Sequence, residues 1–157
     1  MAHAPYKATI AWKRGEGDFA KGRYSRAHAW RFDGGIEVPA SAAPQVVPLP
    51  MSVVEAVDPE EAFVASLASC HMLTFLDLAR RAGFVVDSYV DEAEGVMERI
   101  DTGRFWISKV TLRPKIVFSG EKMPDEIDLS RLHHDAHEFC FIANSVKSEV
   151  IVDPESP

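Results

Sequence analysis

The sequence predicts an α+β fold in which antiparallel sheets pack against two helices. Stretches with partial polar and apolar alternation occur in pairs joined by turn sequences, which is typical of antiparallel hairpins. Two segments with helical end signals separate these pairs, so strands and helices do not alternate strictly as they do in a doubly wound fold. The predicted order is two strands, a helix, two strands, a helix and a final strand.

The first hairpin is predicted from residues 6–13 (YKATIAWK) and 22–32 (GRYSRAHAWRF), with GEGDFAKG as the turn between them. Residues 33–57 follow, and they contain four of the ten prolines among small apolar residues. Because proline cannot donate a backbone hydrogen bond, this composition favours a long covering loop over regular structure.

The first helix has signals at both of its ends. Asp58 is a suitable N-cap, Pro59 occupies the first helical position, and two glutamates in the first turn complement the helix dipole. Two arginines precede Gly83, which is a typical carboxyl-terminal stop. We therefore predict a helix that runs from Asp58 to about Ala82.

This helix is apolar around nearly its whole circumference, which is the pattern of an element packed on every side. Its longest uncharged stretch, residues 62–76, is shorter than the roughly 20 residues of a membrane span, so no membrane anchor is expected. A small domain rarely surrounds a helix completely, and a second subunit is the simpler cover. We predict a homodimer. The apolar side chains are Phe63, Val64, Leu67, Met72, Leu73, Phe75, Leu76 and Leu78.

The second half of the chain predicts another hairpin, a helix and a last strand. Residues 85–100 and 104–118 alternate and are joined at Asp101-Thr102-Gly103, a turn sequence of the hairpin type. A helix is expected over 125–139, with Cys140 at its carboxyl end, and residues 144–152 are expected to return as a short strand.

Length and charge limit the possible functions. With 157 residues the chain fits one domain, residues 1–157. A formal net charge of −7 disfavours a nucleic-acid or anionic-membrane binder, because phosphate contacts need clustered Lys and Arg. The start, MAHAPYKATIAWKRG, lacks the pattern of a secretory signal, so we expect a cytoplasmic protein. Its thiols would then stay reduced rather than form a structural disulfide scaffold.

Cys70 and Cys140 are the only two cysteines, and each lies in or beside a predicted helix. Such a pair can be core filler, a metal site or a redox couple. A metal site can be drawn from His133, His137 and Cys140 on one helix face, with His71 as a fourth ligand. No HExxH pattern accompanies it.

The favoured interpretation of the histidines is not a metal site. His133, His134 and His137 are expected to be solvated or at an interface, and His71 to be buried and hydrogen-bonded. No metal and no cofactor are predicted.

Three segments stand out: DPEEAFVASLASC at 58–70, then LARRAGF, then AHEFCFIANSVKSEV. Together they resemble the OsmC/Ohr family of osmotically inducible and organic hydroperoxide resistance proteins. The resemblance implies an intertwined homodimer with sheets wrapped around long central helices. It also implies a thiol peroxidase that reduces organic hydroperoxides without metal or organic cofactor, with a dithiol reductant such as a lipoylated protein.

The resemblance assigns roles to particular residues. It implies that Cys70 is the peroxidatic thiol, that Cys140 resolves it, and that Glu60 pairs with an arginine from the amino-terminal part. No proline follows Cys140, unlike in many members, so its role as the resolving thiol stays open. The alternative function is a non-catalytic OsmC-like protein that binds a small molecule or a metal.

Peroxide attack requires a thiolate, which is a minor species at pH 7 for an ordinary cysteine pKa of about 8.5. Apolar neighbours, namely Phe63, Leu67 and Leu73, would disfavour the thiolate but would suit an alkyl or fatty-acyl peroxide. A cation is therefore expected beside Cys70. The candidates are Arg14, Arg23, Arg26 and Arg31.

Arg26 is preferred among these arginines because it is placed mid-strand with a parity that could point inward. Glu60 precedes Cys70 by ten residues, about 15 Å along a helix, so it cannot touch that thiol in its own chain. It is expected to hold the arginine, within the chain or across a dimer interface. The simpler alternative is that Glu60 only favours the helix start.

Overall fold

The structure is a computed structural model of one chain and describes residues 4–154. It divides into two compact units, of which the first ends at Ala62 and the second begins at Phe63. The single domain predicted from the sequence covers residues 1–157, and its first three and last three residues lie outside the described part.

The first unit contains a three-stranded antiparallel sheet of β1 (Ala8–Ala11), β2 (His28–Phe32) and β3 (Glu37–Ala40), in that order. The β1–β2 pairing confirms the first predicted hairpin. β3 lies within residues 33–57, where a long loop was predicted, so that prediction was wrong for residues 37–40, whereas residues 41–57 form no regular element. Pro39 is compatible with the strand because β3 is at the edge of the sheet, where a missing N–H leaves no partner unsatisfied.

Strand β2 begins at His28, six residues later than the predicted start at Gly22. Arg26 therefore lies in the connection before β2, and its predicted mid-strand position was wrong. The physical reason is a competing partner: the backbone N–H of Arg26 donates to the carbonyl of Met51 at 2.7 Å instead of joining a ladder.

Helix α1 (Pro59–Arg81) has the predicted ends. The carboxylate of Asp58 accepts the N–H of Glu61 at 2.8 Å, and Glu61 accepts the N–H of Asp58 in return, which forms a capping box. At the other end Gly83 has φ of +85°, and Phe84 N–H reaches the Ala79 carbonyl at 3.0 Å. These bonds satisfy terminal backbone groups and fix where the helix stops.

The second unit contains five strands and a second helix. The elements are β4 (Val85–Asp91), β5 (Glu94–Asp101), β6 (Arg104–Leu112), β7 (Pro114–Ser119), α2 (Glu126–Phe139) and β8 (Glu149–Val152). The predicted turn at Asp101 to Gly103 is confirmed, because β5 and β6 form a hairpin there. Each long alternating stretch splits into two strands, and β4 pairs with β7.

The predicted last strand is shorter than expected. Residues 143–145 form a 3₁₀ turn, and only Glu149–Val152 is strand. This strand, β8, pairs with β6 in parallel, so one of the sheets is mixed rather than purely antiparallel. The predicted α2 is confirmed, with Asp125 as an N-cap in a second capping box.

Helix α1 buries a single stripe of its surface, with one residue every four positions. Leu67, Phe75 and Ala79 anchor it in two apolar clusters of the second unit, and His71 lies between them. The rest of the helix is partly open, and Leu73 is 61% exposed. In one chain the helix is thus fully buried along one stripe only, whereas the sequence pattern predicts an element that is packed on every side.

By length and composition alone, α1 could also cross a membrane. Its most apolar window of 18 residues has a mean hydropathy of 1.5, and 22% of that window is buried within the described chain. The central helix of an oligomer meets the same criteria, so this observation is weak support for a membrane span.

Candidate functional site

Cys70 and Cys140 lie close together in the second unit, where Cys70 raises the pKa of Cys140. Both are free, but they differ in exposure: Cys70 is half-buried, whereas Cys140 is 1% exposed. Cys70 lies on α1, and Cys140 caps the carboxyl end of α2 with its N–H donated to the carbonyl of His137. The packing of α1 and α2 therefore brings together two thiols that are 70 positions apart in sequence.

The environment of Cys140 keeps this thiol protonated. Burial raises the pKa of Cys140 to about 11, and the nearby Cys70 thiol acts in the same direction. The N–H of Ala143, 3.4 Å from the sulfur, opposes the rise without cancelling it. Cys140 is therefore protonated near neutral pH, and the half-buried Cys70 is the candidate nucleophile.

This difference predicts the order in which the thiols react with iodoacetamide. At pH 8 we expect Cys70 to be alkylated at least roughly a hundredfold faster than Cys140, because a thiol with a pKa near 11 is almost entirely protonated there. Peptide mass spectrometry of the folded, reduced protein measures both rates. Cys140→Ser, which retains Cys70 as its one thiol, is the matched control for the alkylation rate of Cys70. Equal labelling of the two residues would contradict the assignment.

His71, next to Cys70 on α1, binds His133 on α2. His71 Nε2 and His133 Nδ1 are 3.1 Å apart, and the rings stack with centroids separated by 5.5 Å. Burial lowers the pKa of both rings to about 4, and the charges of His133 and His137 lower that of His71 further. Both rings are thus neutral at pH 7, and one donates to the other.

The structure confirms one expectation about the histidines and contradicts another. The expectation that His71 is buried and hydrogen-bonded is confirmed, since it is 1% exposed. The expectation that His133 is solvated or at an interface was wrong, because it is 6% exposed and packs against Phe75. The cause is its position on α2, where it faces α1 with Leu132 and Ala136. Among residues 4–154 no three metal-binding side chains are arranged to hold a metal ion.

In the first unit, Arg26 is the half-buried member of the four predicted arginines. Its Nη1 donates to the carbonyls of Gly22 at 2.9 Å and Tyr24 at 2.6 Å. Its guanidinium carbon lies 3.6 Å from the centre of the Tyr24 ring, a cation–π contact. By contrast, the exposed Arg23 and Arg31 form surface ion pairs.

Glu60 lies half-buried in the first turn of α1, where its carboxylate favours the helix start. Within the described part of the chain no ion pair joins Glu60 to Arg26, and the capping box uses Glu61 instead. Pairing of Glu60 with an arginine therefore stays a prediction.

A cavity of about 440 Å³ opens beside Arg26 in the first unit. Three of its aromatic rings pack together: the centroids of Phe19 and Tyr24 are 4.7 Å apart, and Trp12 lies 5.5 Å from Tyr24. This cavity was not predicted from the sequence, although aromatic residues on both arms of the first hairpin could have indicated it. Six of the lining residues are Ile10, Trp12, Phe19, Tyr24, Arg26 and His28.

The predicted apolar walls around Cys70 are only partly present in one chain. Leu67 is fully buried in the core and Phe63 is half-buried, but Leu73 is exposed to solvent.

The model of the OsmC-like protein family matches residues 53–155. The chain belongs to the OsmC-like family. A solved OsmC-like protein of unknown function from Vibrio cholerae is 49% identical, with a TM-score of 0.94 over 98% of this chain and 100% of that one. No curated protein matches the sequence.

Solved organic hydroperoxide resistance proteins share the fold at lower identity. The protein from Elizabethkingia anophelis is 17% identical with a TM-score of 0.70, covering 98% of this chain and 95% of that chain. The protein OhrB from Bacillus subtilis is 21% identical with a TM-score of 0.64, covering 97% of each chain. These structures confirm the predicted α+β class and the OsmC/Ohr resemblance.

Proposed function

We propose that this OsmC-like protein is a thiol peroxidase that reduces organic hydroperoxides through Cys70 and Cys140. The observation that carries the proposal is the proximity of these two thiols, one half-buried and the other buried and protonated. A peroxidase of this kind needs an accessible sulfur to meet the peroxide and a second thiol close enough to form a disulfide.

In the first step the Cys70 thiolate attacks the outer oxygen of the hydroperoxide. The S–O bond forms as the O–O bond breaks, the alkoxide leaves and takes up a proton, and the alcohol is released. Cys70 is oxidised to a sulfenic acid while the peroxide is reduced by two electrons. Cys140 is protonated and lies near Cys70 before the step, so its proton is close to the reacting centre.

In the second step Cys140 resolves the sulfenic acid. Its sulfur attacks the Cys70 sulfur as it loses its proton, the S–O bond breaks, and hydroxide leaves with a proton as water. Burial makes Cys140 a poor acid, so we expect this step to quicken as pH rises through the neutral range. A dithiol then reduces the disulfide, and a lipoylated protein is a suitable class of donor because it carries such a dithiol.

Arg26 is the cation that we propose for the Cys70 thiolate, and Glu60 is proposed to hold an arginine, within the chain or across a dimer. Support for Arg26 comes from its half-burial beside an apolar cavity, since a guanidinium stays protonated in such surroundings. A fixed positive charge would favour the thiolate and the leaving alkoxide alike.

The aromatic cavity beside Arg26 supports an organic rather than an inorganic peroxide. We expect cumene hydroperoxide to be reduced with a kcat/KM at least about tenfold above that for hydrogen peroxide, because only the organic substrate can bury apolar area. Trp12→Ala should narrow this ratio mainly by raising the KM for the organic peroxide. The exposed Phe105→Ala, on β6, is the matched control. Equal kcat/KM values for the two peroxides would remove the substrate assignment.

We propose a homodimer in which a second copy covers the exposed apolar side of α1. Leu73 is 61% exposed in one chain, and further large apolar side chains are open in both units. Light scattering of the purified protein should give about twice the chain mass of 17.4 kDa. Leu73→Glu should raise the dimer dissociation constant by an order of magnitude or more, whereas Leu73→Met should not. A monomer at micromolar concentration would contradict the proposal.

A second candidate function is binding of a small apolar molecule without turnover, which the aromatic cavity would also permit. Binding of that kind requires neither thiol. A variant that lacks Cys70 should therefore retain the binding of the small molecule, whereas the proposed peroxidase activity should be lost.

A further inference from the structure

His28 is held by hydrogen bonds at both nitrogens of its ring, directly beside Arg26. The indole Nε1 of Trp30 lies 2.9 Å from His28 Nε2, and His28 Nδ1 lies 2.7 Å from the carbonyl oxygen of Arg26. His28 also lines the aromatic cavity. A histidine facing a cavity is an obvious candidate for an acid or base, but these two bonds leave neither ring nitrogen free.

The chemistry of the two partners fixes the tautomer of His28. An indole N–H can only donate, so Nε2 must accept and carries no proton. A carbonyl oxygen can only accept, so Nδ1 must carry the proton and donate a hydrogen bond to the carbonyl of Arg26. The ring is therefore a neutral Nδ1–H imidazole that links Trp30 on β2 to the peptide of Arg26.

The bond to His28 completes a set of contacts that immobilise Arg26. Its backbone N–H donates to Met51 at 2.7 Å, its carbonyl accepts from His28, and its Nη1 donates to two carbonyls of the preceding loop. The guanidinium also rests on the Tyr24 ring. Because Arg26 precedes β2 and has no strand ladder to hold it, these contacts supply its orientation.

We propose that His28 is a positioning residue for Arg26: its Nδ1–H tautomer, held by Trp30, fixes the Arg26 peptide and thereby the direction of the guanidinium. The part that concerns Cys70 rests on the proposed function, because it takes Arg26 as the cation for that thiolate. The part that concerns Arg26 itself does not depend on catalysis. The two parts are therefore tested separately.

The structural part is tested by NMR of the full-length, reduced protein at pH 7.5. Long-range ¹H–¹⁵N correlations should show His28 with a protonated Nδ1 and an unprotonated Nε2. The Arg26 Nη groups should give separate resonances, since bonds to two carbonyls slow rotation of the guanidinium. An Nε2–H tautomer, or fast guanidinium rotation in the native protein, would overturn the proposal.

Two substitutions separate the two bonds of His28. Asparagine places its amide nitrogen near the position of Nδ1, so His28→Asn keeps a donor for the Arg26 carbonyl and gives up the bond to Trp30. Glutamine reaches the position of Nε2, so His28→Gln keeps an acceptor for Trp30 and gives up the bond to Arg26. We expect slow Arg26 rotation to persist in His28→Asn and to be lost in His28→Gln. Slow rotation that is lost in His28→Asn but persists in His28→Gln would overturn the proposal, and so would unchanged rotation in both variants.

The part that concerns Cys70 is tested by the pH profile of its alkylation. His28→Gln should slow alkylation of Cys70 at pH 7 by about fivefold and move the inflection to higher pH, as expected for one lost hydrogen bond, and His28→Asn should do so less. Arg26→Met is the reference. If Arg26→Met leaves the profile unchanged, the role proposed for Arg26 fails while the NMR result still decides the role of His28. If Arg26→Met shifts the profile and His28→Gln does not, the positioning role is contradicted.

Discussion

Replacing Cys70 with serine is expected to abolish the reduction of organic hydroperoxides. The hydroxyl of serine is far less acidic and less nucleophilic than a thiol, so the first step should slow by at least roughly a thousandfold. The measurement is peroxide consumption by the reduced variant in stopped flow. The fold should be preserved, because Cys70 is only half-buried and serine is of similar size.

Cys140→Ser is the matched variant, and it should behave differently. It retains Cys70, so one equivalent of peroxide should still be consumed, and a sulfenic acid should accumulate because no second thiol resolves it. Dimedone labelling at Cys70 with mass detection reports this species. Loss of the first step in the Cys140 variant, with activity retained in the Cys70 variant, would reverse the two roles. Peroxide reduction by both variants would show that neither cysteine is required for the reaction.

Acidification from pH 6.5 to pH 4 is expected to destabilise the protein by several kcal/mol. His71 and His133 have pKa values near 4 in the folded chain, against about 6.5 when unfolded. Between these values the unfolded state binds protons that the native state excludes, so the free energy of unfolding falls as pH falls. Each ring contributes on the order of 3 kcal/mol, and the loss is complete below the folded pKa.

Urea unfolding at a series of pH values measures this loss. His71→Gln, which keeps a polar group at the position of Nε2 but does not titrate, should reduce the pH dependence by about half. The exposed His134→Gln should leave it unchanged. A stability that is constant between pH 6.5 and 4, or one that depends on His134 instead, would contradict the assignment of the buried pair.

Local signals in the sequence were sufficient to predict most of the helices and turns. Asp58 and Gly83 fix the ends of α1 because capping depends on residues within one turn. The same holds for Asp125 at the start of α2. Strand β3 was not predictable in this way, because its stability comes from pairing with β2. Proline disrupts a strand unless the strand lies at the edge of a sheet, and the position of Pro39 at such an edge is known only from the structure.

The residues of the candidate site were predicted with more variable success. Cys70 and Cys140 were identified from the family resemblance, but only the structure shows that their thiols lie close together. Arg26 was identified but misplaced, since its loop is held by a carbonyl of Met51 that is remote in sequence. The burial of His133 and the aromatic cavity beside Arg26 depend on tertiary packing. The alternation of polar and apolar residues within a single segment does not reveal such packing.

Titration of the reduced protein with one equivalent of cumene hydroperoxide under anaerobic conditions is the most direct test of the peroxidase mechanism. We expect one cumyl alcohol per chain, a mass loss of two hydrogens, and a peptide that contains an intramolecular Cys70–Cys140 disulfide. Free thiols at both cysteines after addition of the peroxide, or alcohol formed while both remain reduced, would contradict the proposed chemistry.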